Sequence, residues 1–390
     1  MSDLTFSCMI DPQALGLDAF QSRFGVHVHV QRFDWGNVWD DLLRIALYGQ
    51  GPDVSEIGNT WLGSLTGMNA LRPLMSRDVS SLGDQATFLP AVWQGITTLG
   101  DHQSWAIPFL TDTRVIYYRR DWLERADIKE TTAFESPESF TETLTRLQFS
   151  GAETPWAMPT RSLDVVYTLS PWVWAAGGCF RTADGWRLCL NEPEAQAGMR
   201  TYFDLHRYLS PPAQALNTVE TDSLFRQGRA AAVISGPWLL HLLKQDGTVL
   251  PDVGVAPVPA IPYVGGTNLV IWRHARNKQA AVELMRYLTS AEIQRRCFEG
   301  TGNLPTRAEV LDEEPFISDP RYQALAKSAK SGRVLKASYR WAAVEQHLMN
   351  MLSQLWSDLA ADPQLDLDSE IAKRTAALVE NLERTILATW

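Results

Sequence analysis

FRQGRAAAVISGPW, residues 225–238, decides the fold. A basic, glycine-containing turn (Arg226, Gly228, Arg229) feeds a wholly apolar run from Ala230 to Ile234, which Ser235, Gly236 and Pro237 stop before Trp238. An apolar run of that length between turn residues fits a strand buried on both faces of an α/β sheet. The chain leaves its carboxyl end through a Gly-Pro turn, at the edge where open α/β sheets hold ligands. Trp238 there either offers an aromatic face to a ligand or starts a helix and packs on its own lobe. Local sequence leaves both open.

The first hundred residues show the same architecture from the other end. Strand signals at 4–10, 26–32 and 54–57 alternate with helix signals at 13–24 and 39–48. The second helix carries Trp39, Leu42, Leu43, Ala46 and Leu47 on one stripe, which makes Trp39 a core residue. This β-α-β-α-β order predicts a mostly parallel, right-handed sheet. Asn59, Thr60 and Trp61 follow its third strand, again at a carboxyl edge.

Residues 95–126 break the alternation. Extended segments at 105–108 and 114–118, joined by 109–113, read as a crossing from one lobe to the next. Asp112 and Arg114 stand two apart, which on a strand puts both on one face. Helices follow at 137–147, 163–176 and 194–208. The proline- and glycine-rich stretch 253–267 (VGVAPVPAIPYVGGT) reads as a linker with a Gly265-Gly266 hinge. A strand at 268–272 and helices at 278–288, from 291, at 341–359 and at 371–387 complete the chain, with Trp341, Val344, Leu348, Leu352, Leu355 and Leu359 on one stripe.

Composition narrows the function. The chain has 390 residues, room for two domains, with 45% hydrophobic and 21% charged residues. A net charge of −10 without like-charge blocks excludes nucleic acid and anionic membranes as partners. The 15 tryptophans are the unusual feature of the composition; those in turns or just after strands (Trp61, Trp172, Trp174, Trp238, Trp341) are the ligand-facing candidates. Catalytic signatures are absent: no GxGxxG after a strand, no GxxxxGK[ST], GxSxG or HExxH. His27 and His29 share a strand face that can chelate a metal or simply be solvated, and the reading is that no metal or cofactor is bound. Cys179 and Cys189 flank an apparent hairpin around Asp184-Gly185, open to a disulfide or to two reduced thiols. The N-terminus MSDLTFSCMIDPQ has no basic region, apolar core or cleavage site, and no stretch is apolar enough to span a membrane. The expectation is a cytoplasmic protein as the sequence stands, or an extracytoplasmic one whose signal has been removed.

Together these motifs resemble the extracellular solute-binding proteins of ATP-binding-cassette importers, in the branch that includes the maltose-binding protein. GPDVSEIGNTWLGSLTGMNALRPL resembles the family's first-lobe strand, ligand loop and helix, and WAIPFLTDTRVIYYRRDWLERA its first hinge crossing. FRQGRAAAVISGPW, GVAPVPAIPYVGGTNLVIW and NKQAAVELMRYLTSAEIQRRCFEGTGNLPTR follow in the family's order, over more than 300 residues. The resemblance implies an α/β, two-lobe periplasmic-binding-protein-like fold of type II, with residues 1–111 and 266–330 in the first lobe and 112–265 and 331–390 in the second. It implies a monomeric, non-catalytic receptor that closes on a carbohydrate in a cleft between lobes and serves ABC permease subunits. Carried over by position, Asp112 falls on a sugar-bonding acid, Trp238 and Trp341 on stacking tryptophans, the latter in the second lobe, and Tyr167 near a binding tyrosine. Asp11, Asn59, Trp61, Arg114 and Trp172 join the set, with Gly266 and Thr267 at the second hinge. The missing signal leaves open a cytoplasmic sensor that acts through a signalling partner. A glycoside hydrolase needs two carboxylates flanking one bond, and only Asp112 offers itself.

Overall fold

The structure is a computed structural model that describes residues 2–98, 103–182, 185, 187–246 and 253–387. The chain divides into two compact units, Met1–Asp112 with Val264–Ile317 and Val334–Ala342, and Thr113–Tyr263 with Ser318–Arg333 and Ala343–Trp390. Ten strands among the described residues are numbered in chain order: β1 (Ser2–Cys8), β2 (Val26–Arg32), β3 (Val54–Gly58), β4 (Ala106–Thr113), β5 (Val115–Arg119), β6 (Trp156–Ala157), β7 (Ala232–Ser235), β8 (Val253–Pro257), β9 (Val264–Ile271) and β10 (Leu304–Pro305).

The first unit holds a six-stranded sheet in the order β10-β4-β9-β3-β1-β2. β1 pairs in parallel with both β2 and β3, as the alternating sequence pattern predicts, while β9 joins β3 antiparallel. Every residue of β3 is buried, so the side chains of Ser55 and Glu56 need internal partners. Ser55 Oγ meets Ser7 Oγ at 2.6 Å and accepts a hydrogen bond from Trp272 Nε1, also at 2.6 Å. Two sequence expectations shift here. The helix read over 13–24 is a short 3-10 turn, Pro12–Leu15, and a helix, Leu17–Phe24, parted by Gly16 at φ 59°. The helix Val38–Tyr48 buries Val38, Leu42 and Ile45, one step round from the predicted stripe, which leaves Trp39 half-buried and Leu47 69% exposed. The apolar face that wins runs through the β-branched Val38 and Ile45.

In the second unit a four-stranded sheet runs β6-β7-β5-β8. β7 is the apolar run of the opening stretch: it lies inside the sheet, parallel to β6 and antiparallel to β5, with all four residues buried. The presumed linker 253–267 is mostly sheet. Val253 and Val255 are buried in β8, which pairs with β5, and Val264 opens β9, so the prolines are confined to the end of β8 and the turn between the strands. Gly266, in the stretch read as a hinge, is a place of close approach: at φ 127° a Cβ there would lie 2.2 Å from the Leu110 carbonyl oxygen of the first unit's β4. The crossing read as two short extended pieces is likewise two strands, β4 and β5, parted only by Arg114.

Helix Pro320–Ser331 packs on β8 and β5, which places residues 318–333 in the second unit, whereas 266–330 was read as one first-lobe piece. Residues 334–342 return to the first unit, where a Cβ on Gly63 would lie 2.1 Å from the Ser338 carbonyl oxygen. No helix among the described residues is long and apolar enough to cross a membrane.

Helices Asp164–Ala175 and Pro193–Phe203 approach so closely at Gly198 that an added Cβ would sit 2.5 Å from Val173 Cα and 2.6 Å from the Trp172 carbonyl oxygen. Both are backbone atoms and cannot swing aside. Gly198→Ala is therefore expected to lower unfolding free energy by about 1–3 kcal/mol in denaturant titration. Gly95→Ala, whose methyl would meet nothing within 4 Å, serves as the control and should change it by less than about 0.5 kcal/mol. Equal midpoints for the two variants would show that the helices part freely.

Candidate functional site

Parallel strands that end side by side send their loops to one edge of the sheet, and in the first unit those are β3, β1 and β2. Asp11 follows β1, and Asn59 and Trp61 follow β3 in a 3-10 turn, Asn59–Trp61. Asp11 is exposed, and its carboxylate caps the next turn by accepting the Gln13 N–H at 2.9 Å. Asn59 and Trp61 are half-buried. The Trp61 ring lies 5.6 Å from Trp39 and 6.2 Å from Trp35.

Behind this edge lies an acid that sequence reasoning missed. Glu56 is 1% exposed, and its Oε2 accepts the Met9 N–H at 2.7 Å. Burial pushes its carboxyl above the usual range, against the pull of the Met9 amide and the Thr267 hydroxyl. An acid within the short strand read at 54–57 was the available signal. Thr267 itself is 5% exposed, and Gly266 is explained by its approach to β4. Asp112 is half-buried near the end of β4. Its neighbours Thr111 and Thr113 donate to the carbonyls of Gly265 and Tyr263, so strand alternation turns Asp112 to the other face.

The second unit gathers its candidates around Arg114. Arg114 is the single residue between β4 and β5. Its side chain is 5% exposed and donates through Nη2 to Asp164 Oδ1 at 2.7 Å; Asp164 Oδ2 accepts from Thr218 Oγ1 at 2.6 Å. The guanidinium carbon lies 4.9 Å from the Trp238 ring centroid and 5.7 Å from those of Tyr167 and Tyr263, within cation–π range of all three. Tyr167 stacks on Tyr263 at 4.8 Å with planes 13° apart. Trp238 opens the helix Trp238–Gln245, half-buried, with Nε1 donating to Asp222 Oδ2 at 2.8 Å. The Gly236 it follows cannot carry a side chain, since a Cβ there would meet the indole at 2.2 Å. Tyr263 was missed because it sits in the stretch that looked like linker, and Asp164 and Asp222 because isolated acids on helices read as solvated.

Two of the candidate tryptophans are buried. Trp172 is 4% exposed and stacks on Phe140 at 6.0 Å, a core position. Trp341 is 1% exposed and belongs to the first unit, so it presents no solvated face, and it is not a second-lobe residue. Other groups carry less. His27 and His29 pack edge to face at 4.4 Å. Cys179 and Cys189 are free thiols that come with Glu192 within 4.8 Å of one another; the hairpin tip at Asp184 lies outside the described residues. Burial, with Cys179 beside it, pushes the Cys189 thiol up to about 12, which opposes the deprotonation that metal binding requires. A groove of about 560 Å³ lined by Arg72, Arg77, Lys278 and Arg286 reaches Ile271, which pairs with Val54 at the opposite end of β3 from Asn59.

Burial raises the Asp222 carboxyl to about 6, although the Ser235 hydroxyl and Trp238 indole pull it down. A folded-state value above the unfolded 3.8 means that the folded protein holds this proton more tightly. The associated stability is full below about pH 4 and is lost as pH rises through about 6, a difference of about 3 kcal/mol. Asp222→Asn, which cannot ionise, should therefore gain stability relative to wild type between about pH 4 and pH 7. Denaturant titrations across that range check this, and a wild-type-minus-variant difference that is flat with pH would contradict it.

The family model for bacterial extracellular solute-binding proteins matches residues 17–324. The maltotriose-binding protein of Pyrococcus abyssi is 23% identical over 362 residues, covering 88% of this chain and 74% of that protein. The galactooligosaccharide-binding protein of Bacillus subtilis is 20% identical over 91% of this chain and 84% of its own length. Among solved structures, the sugar-binding protein MalE of Xanthomonas citri superposes with a TM-score of 0.84 at 19% identity over the full length of both chains, which establishes the α/β two-lobe fold. The match to the family model spans well over half of the chain, and with the fold in agreement this protein belongs to the bacterial extracellular solute-binding proteins.

Proposed function

We propose that the protein is a non-catalytic receptor for a carbohydrate, working outside the membrane as the binding component of an ABC-type importer. The observation that carries this is the half-buried Trp238 ring, fixed through its indole N–H by Asp222 and set against the Arg114 guanidinium. A sugar's C–H faces are apolar and favour an aromatic surface, while its hydroxyls require charged or polar partners, which strengthen hydrogen bonds in a desolvated site. The first unit carries groups of the same kind at the carboxyl edge of its own sheet in Asp11, Asn59 and Trp61, and Asp112 lies near the end of β4. The relatives named for maltotriose and galactooligosaccharide support the same ligand class, and a relative named as a maltooligosaccharide ABC transporter solute-binding lipoprotein supports a permease partner.

Calorimetric titration against a panel of mono- and oligosaccharides is expected to find a binder. Trp238→Ala should then weaken binding by roughly 1–3 kcal/mol. Binding of amino acids or polyamines with silence from every sugar would remove the carbohydrate assignment.

Hydrolysis of a glycosidic bond needs paired carboxylates about 5–10 Å apart across it. Two acids beside Arg114 and Trp238 are already engaged, the half-buried Asp164 by Arg114 and Thr218 and the buried Asp222 by Trp238. Chromogenic glycosides are expected to remain intact on prolonged incubation; release of chromophore that stops in Asp112→Asn would show an enzyme instead.

A further inference from the structure

The loop after β2 carries a tryptophan that the proposed site has not used. Trp35 is 55% exposed, unusual for so large an apolar ring. The backbone beneath it is pinned. Asp34 accepts the Gly36 N–H through Oδ1 at 2.8 Å, and its carbonyl accepts the N–H groups of Asn37 and Val38 at 3.0 and 2.8 Å. The ring is thus held out on an ordered turn at the start of the helix Val38–Tyr48. It stands 6.2 Å from Trp61, which stands 5.6 Å from Trp39, and the last two pack against the apolar core of the unit. Because β2, β1 and β3 are parallel neighbours, this turn, Asp11 and the Asn59–Trp61 turn all leave the same edge of the sheet. The aromatic surface therefore extends outward from Trp61, away from the β3 loop and along the edge.

We propose that Trp35 stacks on an outer sugar ring, which makes the ligand an oligosaccharide rather than a single monosaccharide. This rests on the carbohydrate reading above. An ordered, exposed indole costs no backbone rearrangement when a pyranose lands on it, and the gain is confined to ligands long enough to reach from Trp61 to Trp35. Polar loop residues would serve a monosaccharide equally well and would spare the protein an exposed indole. The outer ring contributes through its apolar face, so Trp35 selects for length and is tolerant of the hydroxyl pattern.

The experiment is calorimetric titration of wild type and Trp35→Ala with maltooligosaccharide and galactooligosaccharide ladders running from the monosaccharide to the tetrasaccharide. Wild-type affinity is expected to rise along the ladder that binds. Trp35→Ala should weaken the longest members roughly tenfold and leave the shortest binder within about twofold of wild type, and Trp35→Tyr should recover part of the loss. Because Trp35 is exposed, its removal should leave the melting temperature in place, which a thermal melt confirms alongside. Equal affinities of wild type and Trp35→Ala for the long members would overturn the assignment, and so would a loss of equal size at every length. Binding of a monosaccharide as tight as that of any oligomer would overturn it while leaving the carbohydrate reading intact. Absence of heat with every sugar would instead bring down the carbohydrate reading, and this inference with it.

Discussion

A guanidinium that is 5% exposed must have its charge met inside the protein, and the second unit is arranged around meeting that of Arg114. An unpaired buried cation costs several kcal/mol, and removing one partner of a buried pair leaves that cost uncompensated. Asp164 supplies the counter-charge and is itself steadied by Thr218, while Trp238, Tyr167 and Tyr263 turn electron-rich faces toward the cation. These partners come from the first turns of the helices Asp164–Ala175, Thr218–Arg226 and Trp238–Gln245 and from the residue before β9. The charge thereby fixes the mutual placement of segments that are far apart in sequence. It also orients Trp238, because the indole is held by the cation at its face and by Asp222 at its N–H.

Glycine completes the same arrangement by subtraction. Gly236 makes room for the indole that follows it, and its carbonyl accepts the buried Tyr117 hydroxyl at 2.8 Å. Gly266 does the equivalent in the first unit, where it lets β9 lie against β4. In both places a loss of side-chain volume permits a contact made by backbone or by a neighbour's ring.

Much of this was legible in the sequence, because strand and helix periodicity is local. β2 and the helix Lys278–Leu288 lie where their patterns put them, and the buried strand before Gly236 was found from its apolar run. The failures share a cause, which is that tertiary partners decide them. Nothing local distinguishes a proline-rich linker from β8 and β9, whose valines are buried only because β5 and β3 lie beside them. The inner face of Val38–Tyr48 could be placed on either of two overlapping stripes until a core existed to choose. For the site, residue type singled out Trp172, Trp238 and Trp341 alike, and only the fold separates the half-buried ring of Trp238 from the two that are covered. Glu56 and Asp222 were invisible for the opposite reason: burial of an acid is a property of the fold, and their polar sequence neighbours Ser55, Thr221 and Ser223 do not announce it.

The close spacing of Trp35, Trp61 and Trp39 has an optical consequence. Indoles whose centroids are 5.6 and 6.2 Å apart exchange electronic excitation before they emit, so the three rings behave as one chromophoric unit. Excitation that begins on the half-buried Trp39 can migrate to the solvent-facing Trp35, whose polar surroundings lower its emitting state. Emission from the cluster is then weighted toward its most exposed member, and a quencher that reaches Trp35 alone darkens all three. The loop after β2 is in this sense an antenna, and what touches its tip is reported with more light than one tryptophan could give.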